Sequence, residues 1–273
     1  MECSRRMLRG ILGKAIALKF LLLNEFLTKH PISLTDNERR LCGEAIEIMK
    51  RATDVHHDHT HVFRLLGYLD EFIATPDFQN IKNIVDLKII FLAIICHDLW
   101  RSKKDAHTAF QMMQYMFLEH FGGPSDFRKL AKKYAIDPVL SKKVSYCIMK
   151  HTHLVIVPLK TLEAKIVKAI DEIDHTSDER ITLLEKKFLL DRPITSYYLK
   201  QARLAVRLYV KADTTPTHYF PSIESRILAK KQLMADRLDA EIADYAVLLE
   251  YKNKKDNQAY QNQFEAMKQK FQL

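Results

Sequence analysis

IVDLKIIFLAIICHD, residues 84–98, is the stretch of the chain that decides the expected fold. Its first thirteen residues are apolar on almost every side of a helical projection, which is typical of a helix buried at the centre of a protein. A β-strand could also carry such a run, but the length of the run favours a helix. The run ends with His97 and Asp98. Two polar groups at this position are costly to bury unless they are paired or bound to an ion.

The composition also favours helices. The chain has 273 residues, of which 47% are hydrophobic, and this is enough to bury a large core. With only 6 Gly and 8 Pro, it lacks the turn residues that an all-β chain or a repeated βαβ fold requires. We therefore expect an all-α protein that forms a single domain over residues 1–273.

Helical periodicity recurs along the chain and is interrupted by recognisable capping and turn sequences. Thr35 and Glu38 predict a capping box, and Asp58 is the predicted cap of a helix that has His61 in its first turn. Gly122-Gly123-Pro124 is a strong stop signal, so separate helices are expected on its two sides. The expected helices cover about 36–53, 58–75, 84–96, 105–121, 126–134, 139–150, 161–174 and 223–251, and a polar, exposed and partly frayed helix is expected over 253–273.

The formal net charge of +9 attracts anions, such as nucleotides, phosphorylated metabolites, nucleic acid or an acidic membrane surface. Basic residues are spread along the whole chain, so the charge does not choose among these partners and is also compatible with an ordinary solvated surface. The four cysteines lie far apart and form no CxxC pair. This pattern favours a reducing, cytoplasmic location.

Near the start of the chain, Ile11 to Leu23 is apolar enough to suggest a membrane segment, but Lys14 and Lys19 interrupt it. The stretch is too short and too charged to span a bilayer, and no small-residue cleavage site follows it. We expect an amphipathic helix packed on the domain and no transmembrane segment. An interfacial membrane anchor is the alternative.

The histidines are concentrated in one part of the sequence. Nine of the twelve lie between His56 and His153, where even spacing would place about four. Histidine and carboxylate together form the usual mixed ligand set of a divalent transition metal, because imidazole supplies a neutral nitrogen and the carboxylate balances the charge of the ion. His97-Asp98 is the most informative pair. Adjacent residues diverge by about 100° on a helix, so both side chains can reach one ion only at the helix end. The alternative is that Asp98 caps the next turn and His97 is a hydrogen-bonded core residue.

Three motifs, read in order, resemble the HD domain superfamily of metal-dependent phosphohydrolases. They are His61 in DHTHVFRL, then His97-Asp98, then Asp171 in EAKIVKAID. The stretch from His57 to Asp171 also resembles a subgroup of small bacterial HD hydrolases, whose first motif reads His-Asp, two residues, His. The resemblance implies a helical metal-binding core over residues 36–180 and a C-terminal helical extension over 181–273. It also implies four metal ligands, namely His61, His97, Asp98 and Asp171. Asp174 is expected to matter much less than Asp171.

Some HD families add two histidines between the His-Asp pair and the last Asp, and these bind a second metal. His107 and His151 stand in that order here, but His107 follows His97 closely, so a single metal is the leading expectation. His151, or His153 in its place, is then a candidate to contact the metal centre or the substrate phosphate, and so is His107. His57 is a candidate to orient the site. The other histidines are expected to be ordinary surface or core residues: His56, His59, His120, His175 and His218.

The resemblance also implies the chemistry of phosphate ester cleavage, which requires positive charge around the phosphoryl oxygens. The candidate substrate-binding cations near the motifs are Arg64, Arg101, Lys104 and Lys150, and Lys103 is a weaker one. Many HD hydrolases have a Glu shortly after the His-Asp pair that transfers protons, and this chain has none there. Asp105 or Asp98 could take that role. The Gly-Tyr-Pro motif of the cyclic dinucleotide branch is absent, which argues against that substrate.

The leading functional interpretation is a phosphohydrolase that cleaves a nucleotide or another small phosphate ester, with one divalent transition metal (Mn, Ni, Fe, Co or Zn) that activates a water molecule. Two alternatives remain. One is a di-iron oxygenase of the kind found in some HD relatives. The other is a catalytically inactive HD fold that serves as a regulatory or nucleic-acid-binding module. The number of bound metal ions would separate the three interpretations.

Overall fold

The computed structural model describes residues 23–52, 57–104, 109–152, 159–175, 177–185 and 220–271. All regular secondary structure in these ranges is helical, so the predicted all-α class is confirmed. Residues 23–29 are helical, and a short 3-10 helix covers Arg101–Lys103. The α-helices that follow are α1 (Asp36–Lys50), α2 (His59–Ile73), α3 (Pro76–Gln79), α4 (Leu87–Cys96), α5 (Ala109–Lys133), α6 (Pro138–Lys150), α7 (Leu162–His175), α8 (Asp178–Glu185), α9 (Pro221–Asn253) and α10 (Asn257–Phe271).

The predicted N-terminal caps of α1 and α2 are both present. Thr35 Oγ1 accepts a hydrogen bond from the Glu38 main-chain N–H at 3.2 Å, and Glu38 Oε2 accepts one from the Thr35 N–H at 2.7 Å. At the start of α2, Asp58 accepts hydrogen bonds from the N–H groups of Thr60 and His61 at 2.8 and 3.2 Å. These bonds satisfy N–H groups that a helix cannot pair internally. They also hold His61 in the first turn of α2.

Helix α4 is the buried centre of the protein, as its sequence predicts. Every residue from Ile89 to Cys96 is buried, and the helix packs against α1, α2, α6 and α7. The helix begins at Leu87 because Asp86 caps it by accepting a hydrogen bond from the Lys88 N–H. It is therefore shorter than expected, and Ile84 is 70% exposed before the cap.

The prediction that Gly122-Gly123-Pro124 ends a helix is wrong. Helix α5 continues through all three residues as far as Lys133. A Cβ atom at Gly122 would lie 2.5 Å from the Trp100 ring, and one at Gly123 would lie 3.3 Å from the main-chain oxygen of His97. The two glycines therefore allow α5 to pass close to the end of α4. This packing holds the helix together although Pro124 removes one of its internal hydrogen bonds.

The C-terminal helices belong to two hydrophobic clusters. Phe220, Ile223 and Ile227 join the main core, and α9 packs against α7. The far end of α9 packs against α10, where Tyr245, Leu248, Met267 and Phe271 form a separate small core. The expected exposed helix over 253–273 is present as α10 (Asn257–Phe271), in which eight of fifteen residues are exposed and Met267 and Phe271 are buried. The boundaries of the expected core and extension remain predictions.

The N-terminal apolar stretch is described only at its end, because residues 11–22 lie outside the described ranges. Leu23, Phe26 and Leu27 are buried in the main core. Among the described helices, none has both the length and the hydropathy that crossing a bilayer requires. Cys42, Cys96 and Cys147 are buried and form no disulfide, and Cys3 lies outside the described residues.

Candidate metal centre

Three helices bring the four expected metal ligands to one buried point. His61 comes from the first turn of α2, His97 and Asp98 follow α4 directly, and Asp171 lies on α7. All four are buried. The Nε2 atoms of His61 and His97 are 3.1 Å apart. Asp98 Oδ2 lies 3.2 Å from His97 Nε2 and 3.5 Å from His61 Nε2. Asp171 Oδ1 lies 3.2 Å from His61 Nε2 and 3.9 Å from His97 Nε2.

The end of α4 explains how adjacent residues face the same point. The last α-helical residue is Cys96, and His97 keeps helical dihedral angles of φ −61° and ψ −38° as its C-cap. The chain then turns into the 3-10 helix, and the Ser102 N–H donates to the Asp98 main-chain oxygen at 2.8 Å. The side chains of His97 and Asp98 therefore meet where the helix ends, as an ion bound by both would require.

Hydrogen bonds at Nδ1 determine which imidazole nitrogen faces the centre. His97 Nδ1 is 2.9 Å from the main-chain oxygen of Ile94, and His61 Nδ1 is 2.7 Å from Asp174 Oδ2. A carbonyl or carboxylate oxygen can only accept, so Nδ1 carries the proton in His97. Arg180 Nη1 also lies 3.3 Å from His61 Nδ1, but the shorter contact with the Asp174 carboxylate favours the proton on Nδ1 in His61 as well. In the neutral rings both Nε2 atoms then present lone pairs to each other. At 3.1 Å these lone pairs repel unless a proton or a metal cation lies between the rings.

The carboxylates of this cluster favour a positive charge at the same point. Burial lowers the pKa of His97, but the carboxylates of Asp98 and Asp171 outweigh burial and raise it to about 9. Burial acts to raise the pKa of Asp98, yet the histidines around it, His97 foremost, hold that pKa well below its usual range. The pKa of Asp171 is also well below its usual range, because His175 and His61 outweigh burial. Both carboxylates are therefore anionic inside the protein.

The donors fit a transition metal ion. Asp98 Oδ2 is buried and accepts no hydrogen bond from the part of the chain that the structure describes. A buried carboxylate oxygen without a donor is costly, and a coordinated cation removes that cost. Within the described residues, His61, His97 and Asp171 each place one ligand atom within 4.8 Å of the others, and so do His97, Asp98 and His151.

His151 lies near the other oxygen of Asp98, and its ring centre is 4.9 Å from that of His97. It directly follows α6, and its Nδ1 donates to the main-chain oxygen of Ile148 at 2.5 Å. Its Nε2 is 3.2 Å from Glu119 Oε1 and 4.0 Å from Asp98 Oδ1. Burial lowers the pKa of His151, but the hydrogen bond with Glu119 outweighs burial and raises it. Sequence reasoning missed Glu119, because nothing local to α5 shows that this carboxylate meets a histidine 32 residues later.

Asp174 has contacts that the sequence did not indicate. It is 0% exposed and lies one helical turn after Asp171 on α7. Its carboxylate contacts His61, Arg64 and Arg180. Burial acts to raise the pKa of Asp174, but Arg64 and His61 hold it far below its usual range. The expectation that Asp174 matters much less than Asp171 stays a prediction, and these contacts link Asp174 to one of the four expected ligands.

The candidate substrate-binding cations contact other protein groups in this structure. Arg64 donates two hydrogen bonds to Asp174. The Arg101 guanidinium lies 5.4 Å from the Tyr115 ring centre. The other two candidates are lysines whose ammonium groups lie near aromatic rings. The distance from Nζ to the ring centre is 5.5 Å for Lys104 and Trp100, and 6.0 Å for Lys150 and Tyr146. Lys103, the weaker candidate, pairs with Asp126 at 2.9 Å. Lys168 was not expected here, but it is buried on α7 and its Nζ lies 3.5 Å from the Thr152 main-chain oxygen.

The remaining candidates divide into two groups. Asp105, His107 and His153 lie outside the described residues, as do His56 and His218. Among the described histidines, His57 Nε2 lies 3.4 Å from Arg180 Nη2, and His175 Nε2 lies 3.9 Å from Asp171 Oδ2. Both are thus neighbours of the centre, which was expected for His57 and not for His175. His59 packs against Phe63, and His120 lies 3.4 Å from the Thr152 hydroxyl.

Comparisons of the chain with protein-family models, with curated proteins and with solved structures find no match. Membership of the HD superfamily therefore remains a prediction from the three motifs. Function is proposed below from the residues of the centre and their geometry.

Proposed function

We propose that this chain is a metal-dependent phosphohydrolase of the HD type that cleaves a nucleotide or another small phosphate ester. One observation carries the proposal. Two imidazole Nε2 atoms face each other at 3.1 Å with two buried carboxylates beside them, and this arrangement favours positive charge at a point where a divalent ion can replace a proton. The resemblance of the three ordered motifs to the HD superfamily supports the choice of phosphate ester hydrolysis among metal-dependent reactions.

His61, His97, Asp98 and Asp171 would hold the metal. Two neutral imidazoles and two carboxylates carry a total charge of −2, which balances a divalent ion. A mixed nitrogen and oxygen set favours Mn, Fe, Co, Ni or Zn over Mg or Ca, which prefer oxygen ligands alone. Burial of all four residues lowers the local dielectric constant and strengthens each interaction with the ion.

When bound, a divalent ion lowers the pKa of a coordinated water and polarises a phosphoryl oxygen. The chain itself supplies proton transfer. His151 lies 4.0 Å from Asp98 Oδ1, and the hydrogen bond with Glu119 raises its pKa and so favours the protonated imidazole. A protonated imidazole beside the centre can donate to the departing oxygen of the ester. Asp98 contacts both the metal ligands and His151, so it links the two functions.

A second metal position is the observation that keeps the di-iron alternative open. His97, Asp98 and His151 place one ligand atom each within 4.8 Å of the others, and Glu119 Oε1 lies 3.2 Å from His151 Nε2. One bound ion per chain supports the phosphohydrolase, two irons support the oxygenase, and no bound metal supports the inactive module. Elemental analysis of the purified protein distinguishes these outcomes.

The test is an assay of EDTA-treated protein, reloaded with Mn²⁺, against a panel of nucleotides and simple phosphate esters. We expect phosphate or a shorter nucleotide to be released only from the metal-loaded protein. His97→Ala should lose metal and at least about 100-fold in activity while far-UV circular dichroism stays unchanged. Full metal content in His97→Ala, or no hydrolysis of any ester by the loaded wild type, would overturn the proposal.

A further inference from the structure

The Asp174 carboxylate is fully buried and is held from two sides by side chains of α2. Arg64 Nε donates to Asp174 Oδ1 at 2.7 Å, and Arg64 Nη2 donates to Oδ2 at 2.9 Å. His61 Nδ1 donates to the same Oδ2 at 2.7 Å. Arg64 follows His61 by three residues on one face of α2, so the two donors approach a single carboxylate together.

A second arginine completes the surroundings of this carboxylate. Arg180 Nη1, from α8, lies 3.4 Å from Asp174 Oδ2, and its Nη2 lies 3.4 Å from His57 Nε2. The Ser177 hydroxyl lies 3.4 Å from Asp174 Oδ1. Two guanidinium groups offset the cost of burying the anion, so Asp174 can remain charged without a metal ion of its own.

We infer that Asp174 is a positioning residue that holds His61 with its proton on Nδ1 and its Nε2 lone pair directed at the metal centre. This inference rests on the proposed metal-binding function. A neutral imidazole in water prefers its proton on Nε2, and that form could not bind a metal through Nε2. The buried carboxylate reverses the preference, because only an Nδ1 proton can be donated to it.

The helical spacing of α7 gives this arrangement a further consequence. Asp171 and Asp174 lie one turn apart, so α7 supplies one metal ligand and also orients a ligand that belongs to α2. A shift of α7 would therefore move two of the four ligands at once. The buried Arg64–Asp174 pair could instead serve only to join the two helices, and an experiment must separate the two roles.

The experiment measures Mn²⁺ affinity by titration calorimetry for EDTA-treated wild type and for Asp174→Asn. Asn keeps the shape of Asp, but its amide NH₂ would face an N–H group of Arg64 or His61 that now donates to the carboxylate. We expect the Mn²⁺ affinity to fall by about 10- to 100-fold. The matched control is Glu241→Gln, which replaces another carboxylate that is 0% exposed and paired with an arginine, Arg237, on helix α9. Both variants should be less stable to heat, but Glu241→Gln should bind Mn²⁺ like the wild type.

A second measurement needs no variant. In the Zn²⁺-loaded wild type, imidazole ¹⁵N NMR should show the His61 proton on Nδ1. Zn²⁺ bound with that proton on Nε2 would overturn the inference. So would an Asp174→Asn protein that is less stable but binds Mn²⁺ as tightly as the wild type, and in that case the metal centre itself would stand. A wild type that binds neither ion would overturn the proposed function together with this inference.

Discussion

The two carboxylate oxygens of Asp98 face two groups of side chains. The groups differ in the positively charged species, a metal ion or a proton, that they favour. Oδ2 faces His61 and His97, whose Nε2 atoms lie 3.1 Å apart and require a proton or a metal cation between them. Oδ1 faces His151, whose Nε2 lies beside the Glu119 carboxylate and is satisfied by a single proton. Similar buried residues therefore favour a metal on one side of Asp98 and a proton on the other. The difference lies in what each Nε2 atom faces, which is another imidazole nitrogen on the Oδ2 side and the Glu119 carboxylate on the Oδ1 side.

The largest expected effect comes from removing one carboxylate on each side. Asp171→Asn should weaken Mn²⁺ binding by at least about 100-fold, because it removes a charge that balances the ion. Glu119→Gln should weaken it by less than about 10-fold, since Glu119 contacts His151 and not the four-residue centre. Calorimetry with Mn²⁺ gives both affinities, and circular dichroism verifies the fold. A greater loss in Glu119→Gln would place the metal on the Oδ1 side.

An intermediate effect is expected from pH in the metal-free protein. The pKa of His97 is raised from 6.5 to about 9, so the folded chain binds this proton more tightly than the unfolded chain. The resulting stability is fully present below about pH 6.5 and is lost as the pH rises to about 9, by up to about 3 kcal/mol. The raised pKa of His151 acts in the same direction.

Urea unfolding of EDTA-treated protein at pH 6.5, 8 and 9.5 measures this loss. Bound Mn²⁺ should remove most of the pH dependence, because the ion takes the place of the His97 proton. Stability that increases from pH 6.5 to 9 in the metal-free protein would contradict the arrangement of charges described for the Oδ2 side.

The smallest effect concerns the helix that carries Glu119. Gly122→Ala places a Cβ 2.5 Å from the Trp100 ring. Overpacking of about 1–3 kcal/mol should exceed the gain of about 1 kcal/mol in helix propensity, so the variant should be less stable. Gly67 on α2 is the matched control, since a Cβ there meets nothing within 4 Å. Gly67→Ala should be more stable by about 0.5–1 kcal/mol.

Thermal unfolding of both glycine variants tests the packing, and their Mn²⁺ affinity tests the comparison between the two sides of Asp98. We expect the affinity of Gly122→Ala to stay within about 3-fold of wild type, because α5 carries no residue of the four-residue centre. If Gly122→Ala loses the metal, the two sides are coupled through α5 and do not act separately.

Local chemistry determined much of this protein from its sequence. The apolar run of α4, the capping box of α1 and the Asp58 cap of α2 each depend on residues within a few positions of one another, and the structure has all three. The order His61, His97-Asp98, Asp171 also identified the four side chains that meet. Their meeting requires only that the predicted helices pack around α4.

Tertiary structure alone decided the rest, because the energies involved come from contacts between distant residues. Helix propensity predicts that a helix stops at Gly122-Gly123-Pro124. Close packing of α5 on Trp100 and the end of α4 outweighs the hydrogen bond that Pro124 removes, so α5 remains continuous. Asp174 follows an isoleucine on α7 as Asp171 does, yet it faces Arg64 and His61, which precede it by 110 and 113 residues. Burial makes such contacts strong by excluding water, and no local pattern reports which polar groups will be buried together.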